Sequence, residues 1–233
     1  VPDEEITKLG VKTYGKKELL LLDGAENQQS FDFPTTDNKI INTADLYFVP
    51  TLGADGKSVS MKVSLGANQY IEQLYAFDEN NNILKYNINL VGLENIIQRN
   101  RTSIDLNWSA RIRPQEKTRE AEERVSTIYY RVKDDEPASL SENKEVKENI
   151  TSDLQWVSFK QQYFNQTIIA DKGFTDAVLE TKNDPYKNSI RNFSAVLTLP
   201  YNHTANENFS MKIYYGPNHY KTLEKLGISM ERI

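Results

Sequence analysis

The chain has 233 residues, with 28 basic and 33 acidic side chains, a net charge of −5 and no cysteine. This composition disfavours nucleic-acid binding, which normally requires a basic face, and excludes thiol catalysis, cysteine metal sites and disulfides. The sequence contains no run of about 18 apolar residues and no signal peptide at its start, so we expect one domain over residues 1–233 that does not itself span a membrane.

The first part of the chain predicts short strands and one long loop. Residues 6–14 alternate weakly between apolar and polar side chains, and residues 19–22 form a short apolar run. Residues 25–43 are mostly polar. We therefore expect a long irregular loop there, anchored by Phe31 and Phe33.

The central part of the chain carries the strongest strand signals. Residues 46–49 predict a strand that ends at Pro50, and residues 70–77, apolar on both faces, predict a strand between two layers. Other segments alternate with a period of two, which is typical of half-buried antiparallel strands. They are residues 59–65, 84–90, 104–112 and 126–132.

Two polar segments interrupt this pattern. Residues 115–124 are almost wholly charged and predict a short solvated helix or loop, with an acidic metal site at Glu116, Glu120 and Glu123 as the alternative. Residues 133–151 are polar and acidic, and we expect a second long loop.

An aromatic stretch follows, with Trp156, Phe159, Tyr163 and Phe164 within nine residues. Such a stretch favours the core of a sheet, and a direct contact with a peptide or partner protein is the alternative. Residues 171–173 then predict a turn.

The last part of the chain predicts three more strands and a helix. The strands are expected at residues 176–181, 193–199 and 209–215. In the helix, Asn218 is the expected cap, Tyr220, Leu223 and Leu226 share one side, and Gly227 is the stop. About a dozen strands with almost no helix predict an all-β, mainly antiparallel fold of two stacked sheets with a short C-terminal helix.

Few residues point to catalysis. The two histidines, His203 and His219, have no second histidine or carboxylate at a metal-binding or catalytic spacing, and we expect both to be structural. No phosphate-binding loop, dinucleotide fingerprint or serine-hydrolase motif occurs. We therefore expect no catalytic residue, no metal and no cofactor. Trp108 and Trp156 leave open a second possibility, because tryptophans can stack on sugar rings, although the alternating pattern around Trp108 favours burial.

Three motifs carry a resemblance to a known family. The stretch Trp156 to Phe164, the segment Asn68 to Ile71, and Tyr214 to Pro217 followed by Leu223 resemble the large extracytoplasmic domain of the YidC membrane protein insertases. The asparagine-rich style is similar to the Bacteroidetes branch. The resemblance departs at the start, where the family's early strand pair with a Gly-Gly turn has no counterpart.

The resemblance implies a β-supersandwich similar to galactose mutarotase, on the periplasmic side of the bacterial inner membrane. Membrane helices outside this segment would flank it. Implied partners are the Sec translocon, SecDF and nascent membrane proteins, and the implied role is non-catalytic. Signature residues would be Trp156, Phe159, Tyr163, Phe164, Gly216 and Pro217, and exposed contact residues would be His219, Lys221 and Glu224. The alternative is a secreted mutarotase-like or carbohydrate-binding β-sandwich.

Overall fold

Two antiparallel sheets contain most of the chain. A computed structural model describes residues 27–78, 82–115, 118–184 and 189–233. Within these ranges the strands are β1 Asn27–Pro34, β2 Ile40–Asn42, β3 Val49–Leu52, β4 Ser58–Gly66, β5 Gln69–Asp78, β6 Ile83–Val91, β7 Ser103–Ile112, β8 Thr127–Val132, β9 Ala138–Ser139, β10 Val146–Ile150, β11 Leu154–Lys160, β12 Phe164–Phe174, β13 Asp176–Asn183, β14 Arg191–Pro200 and β15 Asn206–Pro217. The α-helices are α1 Arg119–Glu123 and α2 Tyr220–Glu224, and 3-10 turns occupy Thr43–Asp45 and Met230–Arg232. The strands predicted at residues 6–14 and 19–22 lie outside the described residues.

The strands form one six-stranded and one nine-stranded sheet. Their orders are β10-β13-β14-β7-β1-β2 and β3-β4-β5-β6-β15-β12-β11-β8-β9. Neighbouring strands in both sheets pair in antiparallel fashion. The predicted all-β, antiparallel fold class with a short C-terminal helix is confirmed.

The sheets pack face to face through large aromatic side chains. The ring of Trp108, on β7 of the six-stranded sheet, lies 3.6 Å from that of Phe159, on β11 of the other sheet, with 10° between the ring planes. Phe193 on β14 contacts the same phenylalanine at 5.4 Å. Burying each of these rings removes roughly 150–250 Å² from water, a large part of the driving force for stacking the sheets.

One end of the sandwich, here called the Asn27 end, carries the start of β1 and the close of β15. Asn27 Nδ2 donates a 2.7 Å hydrogen bond to Gln166 Oε1, which joins the two sheets there. The strand register places Phe164 opposite Pro217 at this end. Antiparallel pairing across the nine-stranded sheet brings the last residues of β3, β5 and β11 to the same end.

The loop predicted over residues 25–43 is wrong in its described part, because β1 and β2 lie there. Phe31 and Phe33 are fully buried, as anchors should be, but they belong to a strand paired with β7. Polar residues such as Gln28 and Gln29 conceal the alternation of this strand. The backbone pairing is satisfied by β7 whatever the polarity of these side chains.

The strand predicted at residues 46–49 lies a few residues later. A 3-10 turn occupies Thr43–Asp45, capped by Asn42, whose side chain accepts a 2.7 Å hydrogen bond from the Ala44 N–H. Strand β3 then includes Pro50, which was expected to end it. Among the described residues β3 is an edge strand, a position where a sheet tolerates proline.

Two other predictions of irregular structure are also wrong. The loop expected over residues 133–151 contains β9 and β10, short edge strands that are mostly exposed and therefore lack an apolar pattern. The turn expected at residues 171–173 is part of β12, where the register against β11 shifts. Gly173 has a φ of 78° there, and a Cβ would lie 3.0 Å from the carbonyl oxygen of Leu154.

The strand at residues 70–77 is confirmed, but not its position between two layers. Ile71 and Gln73 on one face are buried, whereas Tyr70 and Leu74 on the other face are half-exposed.

The charged segment at residues 115–124 does form a short helix, α1. Its Glu122 is buried rather than solvated, because both carboxylate oxygens accept hydrogen bonds from the Gln115 N–H. The described residues contain no cluster of three acidic or histidine side chains that fits a metal, and Glu116 lies outside them.

Candidate functional site

Strand β11 is covered on both of its faces, which explains the aromatic stretch. Val157 and Phe159 face the core between the sheets, while Trp156 and Ser158 face the outer side of the nine-stranded sheet. All four are buried: the other sheet covers Val157 and Phe159, and the segment of residues 218–233 packs against Trp156 on the outer side. A strand that is buried on both faces does not show the alternation of polar and apolar residues that is typical of a half-buried strand.

The outer side carries a second apolar cluster, here called the C-terminal platform. Its buried members come from four strands and from the last residues of the chain: Ile83, Trp156, Ile169, Tyr214, Leu223 and Met230. The indole Nε1 of Trp156 donates a 2.9 Å hydrogen bond to the carbonyl oxygen of Ile228. The platform therefore holds the C-terminal segment by apolar burial and by a specific hydrogen bond.

The two sequence motifs that flank the platform are neighbours in the sheet. Phe164 pairs with Pro217 and Asn165 with Gly216, although some fifty residues separate them in sequence. The Tyr214 hydroxyl donates a 2.8 Å hydrogen bond to the Pro217 carbonyl, and burial raises the pKa of Tyr214 to about 12. A Cβ at Gly216 would lie 2.6 Å from the Tyr214 hydroxyl oxygen, so a larger residue there would require the Tyr214 ring to move.

Asn218 does not cap the last helix, contrary to expectation. The residue at the cap position is His219, and its side chain makes no capping hydrogen bond. Asn218 Oδ1 instead accepts a 2.8 Å hydrogen bond from Asn165 Nδ2, and Asn218 Nδ2 donates to the carbonyl oxygens of Gln161 and Gln162 at 2.8 and 3.3 Å. Asn218 thus ties the end of β15 to the turn between β11 and β12.

Helix α2 lies on the platform with part of its predicted orientation. Leu223 is buried and Leu226 half-buried, as expected, but Tyr220 points away from the platform and is 58% exposed. The helix ends at Glu224, three residues before the stop expected at Gly227, which has a φ of 68° and an N–H that donates to the Glu224 carbonyl. A five-residue helix has little more than one turn, too short for all three apolar residues to share one side.

The predicted contact residues belong to α2 and to the residue that precedes it. His219, Lys221 and Glu224 are all exposed. His219 Nδ1 lies 2.9 Å from Thr222 Oγ1, and Glu224 Oε1 accepts a 3.4 Å hydrogen bond from the Tyr220 hydroxyl. The platform therefore fixes the position of a small surface of mixed charge.

Comparison with known proteins identifies the family. The family model described as the YidC periplasmic domain matches residues 6–233. The chain belongs to the YidC periplasmic domain family. Relatives are similar over most of the chain: one from Parabacteroides distasonis is 30% identical over 222 residues, covering 94% of the chain, and one from Phocaeicola vulgatus is 31% identical over 208 residues, covering 89%.

Both relatives bear the name membrane protein insertase YidC, and the chain spans 35% and 33% of their lengths. The match to Bacteroidetes members agrees with the expected branch. A galactose mutarotase related enzyme from Lactobacillus acidophilus has a TM-score of 0.46 and 9% identity, covering 79% of this chain and 77% of its own. Within the described ranges, no helix of this YidC periplasmic domain is long and apolar enough to cross a bilayer.

The two histidines of this YidC periplasmic domain lie apart, and its two tryptophans are buried. His203 lies at the end opposite Asn27, where its Nε2 is 2.6 Å from the Arg101 carbonyl oxygen, far from His219 on α2. Trp108 and Trp156 are buried within the two apolar clusters. The idea that they stack on sugar rings is therefore wrong.

The polar contacts beneath α2 were missed by the sequence analysis. Thr167 Oγ1 lies 2.7 Å from both Ser158 Oγ and Asn165 Oδ1, and these three residues are buried. Through Asn165 this chain of hydrogen bonds reaches Asn218. The only signal in the sequence is the presence of polar residues inside an otherwise apolar stretch, which does not reveal their partners.

Proposed function

We propose that this chain is the periplasmic interaction domain of a YidC-type insertase, and that it acts by contact rather than by catalysis. In this proposal it forms a single unit on the periplasmic side of the inner membrane, attached through flanking membrane helices. It helps the insertase to insert and fold inner-membrane proteins together with the Sec translocon and SecDF. The family match supports the assignment to an insertase.

The observation that carries the proposal is the fastening of α2 to the sheet. Trp156 and Asn218 hold the C-terminal segment by hydrogen bonds, and Leu223 holds it by burial. A helix held in this way presents His219, Lys221 and Glu224 in one fixed arrangement. A preorganised surface loses less entropy on binding than a flexible tail, so we assign the partner contact to these three residues.

The charges exposed around α2 indicate the kind of partner. Lys221 and Glu224 place a cation and an anion on one short helix. The charges on α2 suit recognition of a polar partner, since exposed charged groups set orientation and association rate more than affinity.

Site-specific photo-crosslinking in the full-length insertase tests the assignment. Photoreactive residues at Lys221 and Glu224 should give adducts with SecDF, the translocon or a nascent membrane protein. The same group at Lys147, exposed on β10 at the edge of the six-stranded sheet, is the matched control. Equal adducts from all three positions, or none from α2, would contradict the assignment.

A further inference from the structure

Residues 219–233, here called the strap, depend on the sheet for little of their backbone hydrogen bonding. Their N–H groups donate to carbonyl oxygens three or four residues earlier in the strap; the donors include Thr222, Leu223, Leu226, Gly227, Arg232 and Ile233. The described backbone contact between strap and sheet is the Ile228 carbonyl, which accepts from the indole of Trp156. Releasing the strap from the sheet therefore breaks few backbone hydrogen bonds.

Asn218, directly before the strap, is fixed more firmly and forms its pivot. The Asn218 N–H donates a 2.7 Å hydrogen bond to the Tyr163 carbonyl. Its side chain bonds to the amide of Asn165 and to the carbonyls of Gln161 and Gln162. These bonds hold the end of β15 to the sheet wherever the following residues lie, so the strap can leave without disturbing β15.

A small set of side chains closes the strap over the outer side of the nine-stranded sheet. Leu223 and Met230 are buried in the C-terminal platform. Arg232 forms an ion pair with Glu136, which lies between β8 and β9, but both side chains are exposed, and such pairs contribute little to stability. Segments held by few buried apolar contacts open at a lower free energy than the core does.

The polar groups on the outer side of the sheet do not need the strap. Ser158 and Thr167 are fully buried there, and their hydroxyl oxygens lie 2.7 Å apart. Thr167 Oγ1 also lies 2.7 Å from Asn165 Oδ1. These contacts join residues of the sheet to one another, so the three side chains keep their partners when the strap leaves, and opening carries no penalty from them.

An open strap leaves a surface of defined chemistry. The strand residues of the platform are apolar except for the indole and phenol groups; they are Ile83, Trp156, Ile169 and Tyr214. The Trp156 N–H, which bonds to the Ile228 carbonyl in the closed strap, becomes an available donor. The strap shows what fits this surface, since Leu223 and Met230 are seven residues apart with that carbonyl between them.

An unfolded apolar segment carries the same groups, because it combines aliphatic side chains with carbonyls that lack partners. Resting on the proposed function for the identity of the partner, we propose that the strap is a releasable occupant of the platform. When it opens, the platform binds an apolar segment of a nascent membrane protein in its place. The tether gives the strap a high effective concentration, so the platform rejects segments that are only weakly apolar.

A chemical lock in the full-length insertase tests whether the strap opens. The chain has no cysteine, so E136C/R232C can be joined by a thiol-cleavable bismaleimide once any cysteine outside this chain is replaced. The lock should slow hydrogen exchange of the strap amides about tenfold and leave those of β12 and β15 unchanged. Cleaving the linker should restore the faster exchange. Exchange of the strap that the lock does not slow would overturn the proposal.

A labelled peptide with the sequence of residues 218–233 tests whether the platform accepts a second segment. L223S/M230S weakens the strap without changing the strand residues, so the insertase that carries it should bind the peptide at least about tenfold more tightly than the unchanged one. Y220S/K225S, which changes two exposed side chains of the strap, is the matched control and should bind like the unchanged insertase. The locked insertase should not bind the peptide until its linker is cleaved.

Equal binding by the two double variants, or binding by the locked insertase, would overturn the proposal. If L223S/M230S does not fold, the locked insertase before and after cleavage of its linker still decides the outcome. A photoreactive residue at Tyr129, which packs against the platform from β8, tests the partner. It should give adducts with a stalled nascent inner-membrane protein when the strap is free and none when it is locked, and equal adducts in both states would overturn the assignment.

These results are distinct from the crosslinking that tests the proposed function. The lock leaves Lys221 and Glu224 exposed, so their adducts are expected from the locked insertase as well. Absence of those adducts contradicts the proposed function and leaves the exchange and peptide results intact. Absence of any effect of the lock contradicts the strap alone.

Discussion

Trp156 donates a hydrogen bond from its indole nitrogen to the carbonyl oxygen of Ile228, over 2.9 Å and across 72 residues of sequence. The side chain of Trp156 is fully buried and Ile228 is half-buried, so the bond lies partly out of contact with water. A buried carbonyl that loses its donor costs about 1–3 kcal/mol. This bond therefore contributes directly to holding the C-terminal segment on the sheet.

Trp156→Phe should lower the free energy of unfolding by about 1–3 kcal/mol, since it removes the donor and leaves a small void. Trp156→Ala should cost about 3–5 kcal/mol. Urea unfolding followed by circular dichroism measures both values. Limited proteolysis should cleave the W156F chain within residues 218–233 before the rest, and full stability with unchanged cleavage would contradict the role of the bond.

Asn218→Ala should destabilise the domain by about 1–3 kcal/mol, because it leaves Asn165 and two turn carbonyls without their hydrogen-bond partner. His219→Ala, one residue later, should change stability by no more than about 0.5 kcal/mol, since that side chain is exposed. Thermal melting of the two variants makes the comparison. Equal effects would mean that Asn218 acts as an ordinary exposed residue.

The stacked pair Trp108 and Phe159 should show coupling between the two sheets. Each single change to alanine should cost about 3–5 kcal/mol, and the double-mutant cycle should give a coupling energy of at least about 0.5 kcal/mol. The milder changes to leucine serve if the alanine variants do not fold. Additive losses would show that the rings contribute by burial alone and not by their mutual contact.

Glu72 should make stability depend on pH in the acidic range. The Ser60 hydroxyl, which donates a 2.6 Å hydrogen bond, holds the pKa of Glu72 below its usual range, helped by Asn89 and opposed by partial burial. Because the folded pKa is lowered, this stabilisation is present above the unfolded value near 4.5 and is lost as pH falls through the folded pKa.

Urea midpoints measured from about pH 7 down to about pH 3 test this sign. Glu72→Gln should flatten the acidic fall in stability compared with the unchanged chain. Glu224→Gln, which removes an exposed carboxylate from α2, is the control and should retain the fall. A Glu72→Gln curve parallel to that of the control would contradict the assignment.

Strands with one wet face were predictable because burial imposes a period on their side chains. The strand at residues 104–112, which is β7, was predicted correctly for this reason. Its residues Ile104, Leu106 and Trp108 are all buried. Strand β1 was not predicted because polar residues precede its two phenylalanines. The backbone of these polar residues pairs with β7, and this pairing leaves no pattern of apolar side chains in the sequence. The prediction that a strand ends at Pro50 was wrong because proline interrupts a central strand but is tolerated in an edge strand such as β3.

The candidate site was predictable in composition but not in geometry. The aromatic stretch indicated burial, and Trp156 and Phe159 are indeed buried, but they belong to opposite faces and to two different clusters. Asn218 fits a helix cap by its position in sequence. Its actual partners, Asn165 and the turn at Gln161, are some fifty residues away, and no local pattern identifies them.

The proline in β3 also bears on how this sheet meets other chains. Gly53 N–H donates to the Ser58 carbonyl, and alternation along the β3–β4 pair then turns the backbone of Pro50 away from β4, toward the side of β3 where no described strand pairs. An incoming strand would find no N–H at that position. The missing donor therefore disfavours pairing with a further strand, and with it sheet extension and fibril growth from this edge.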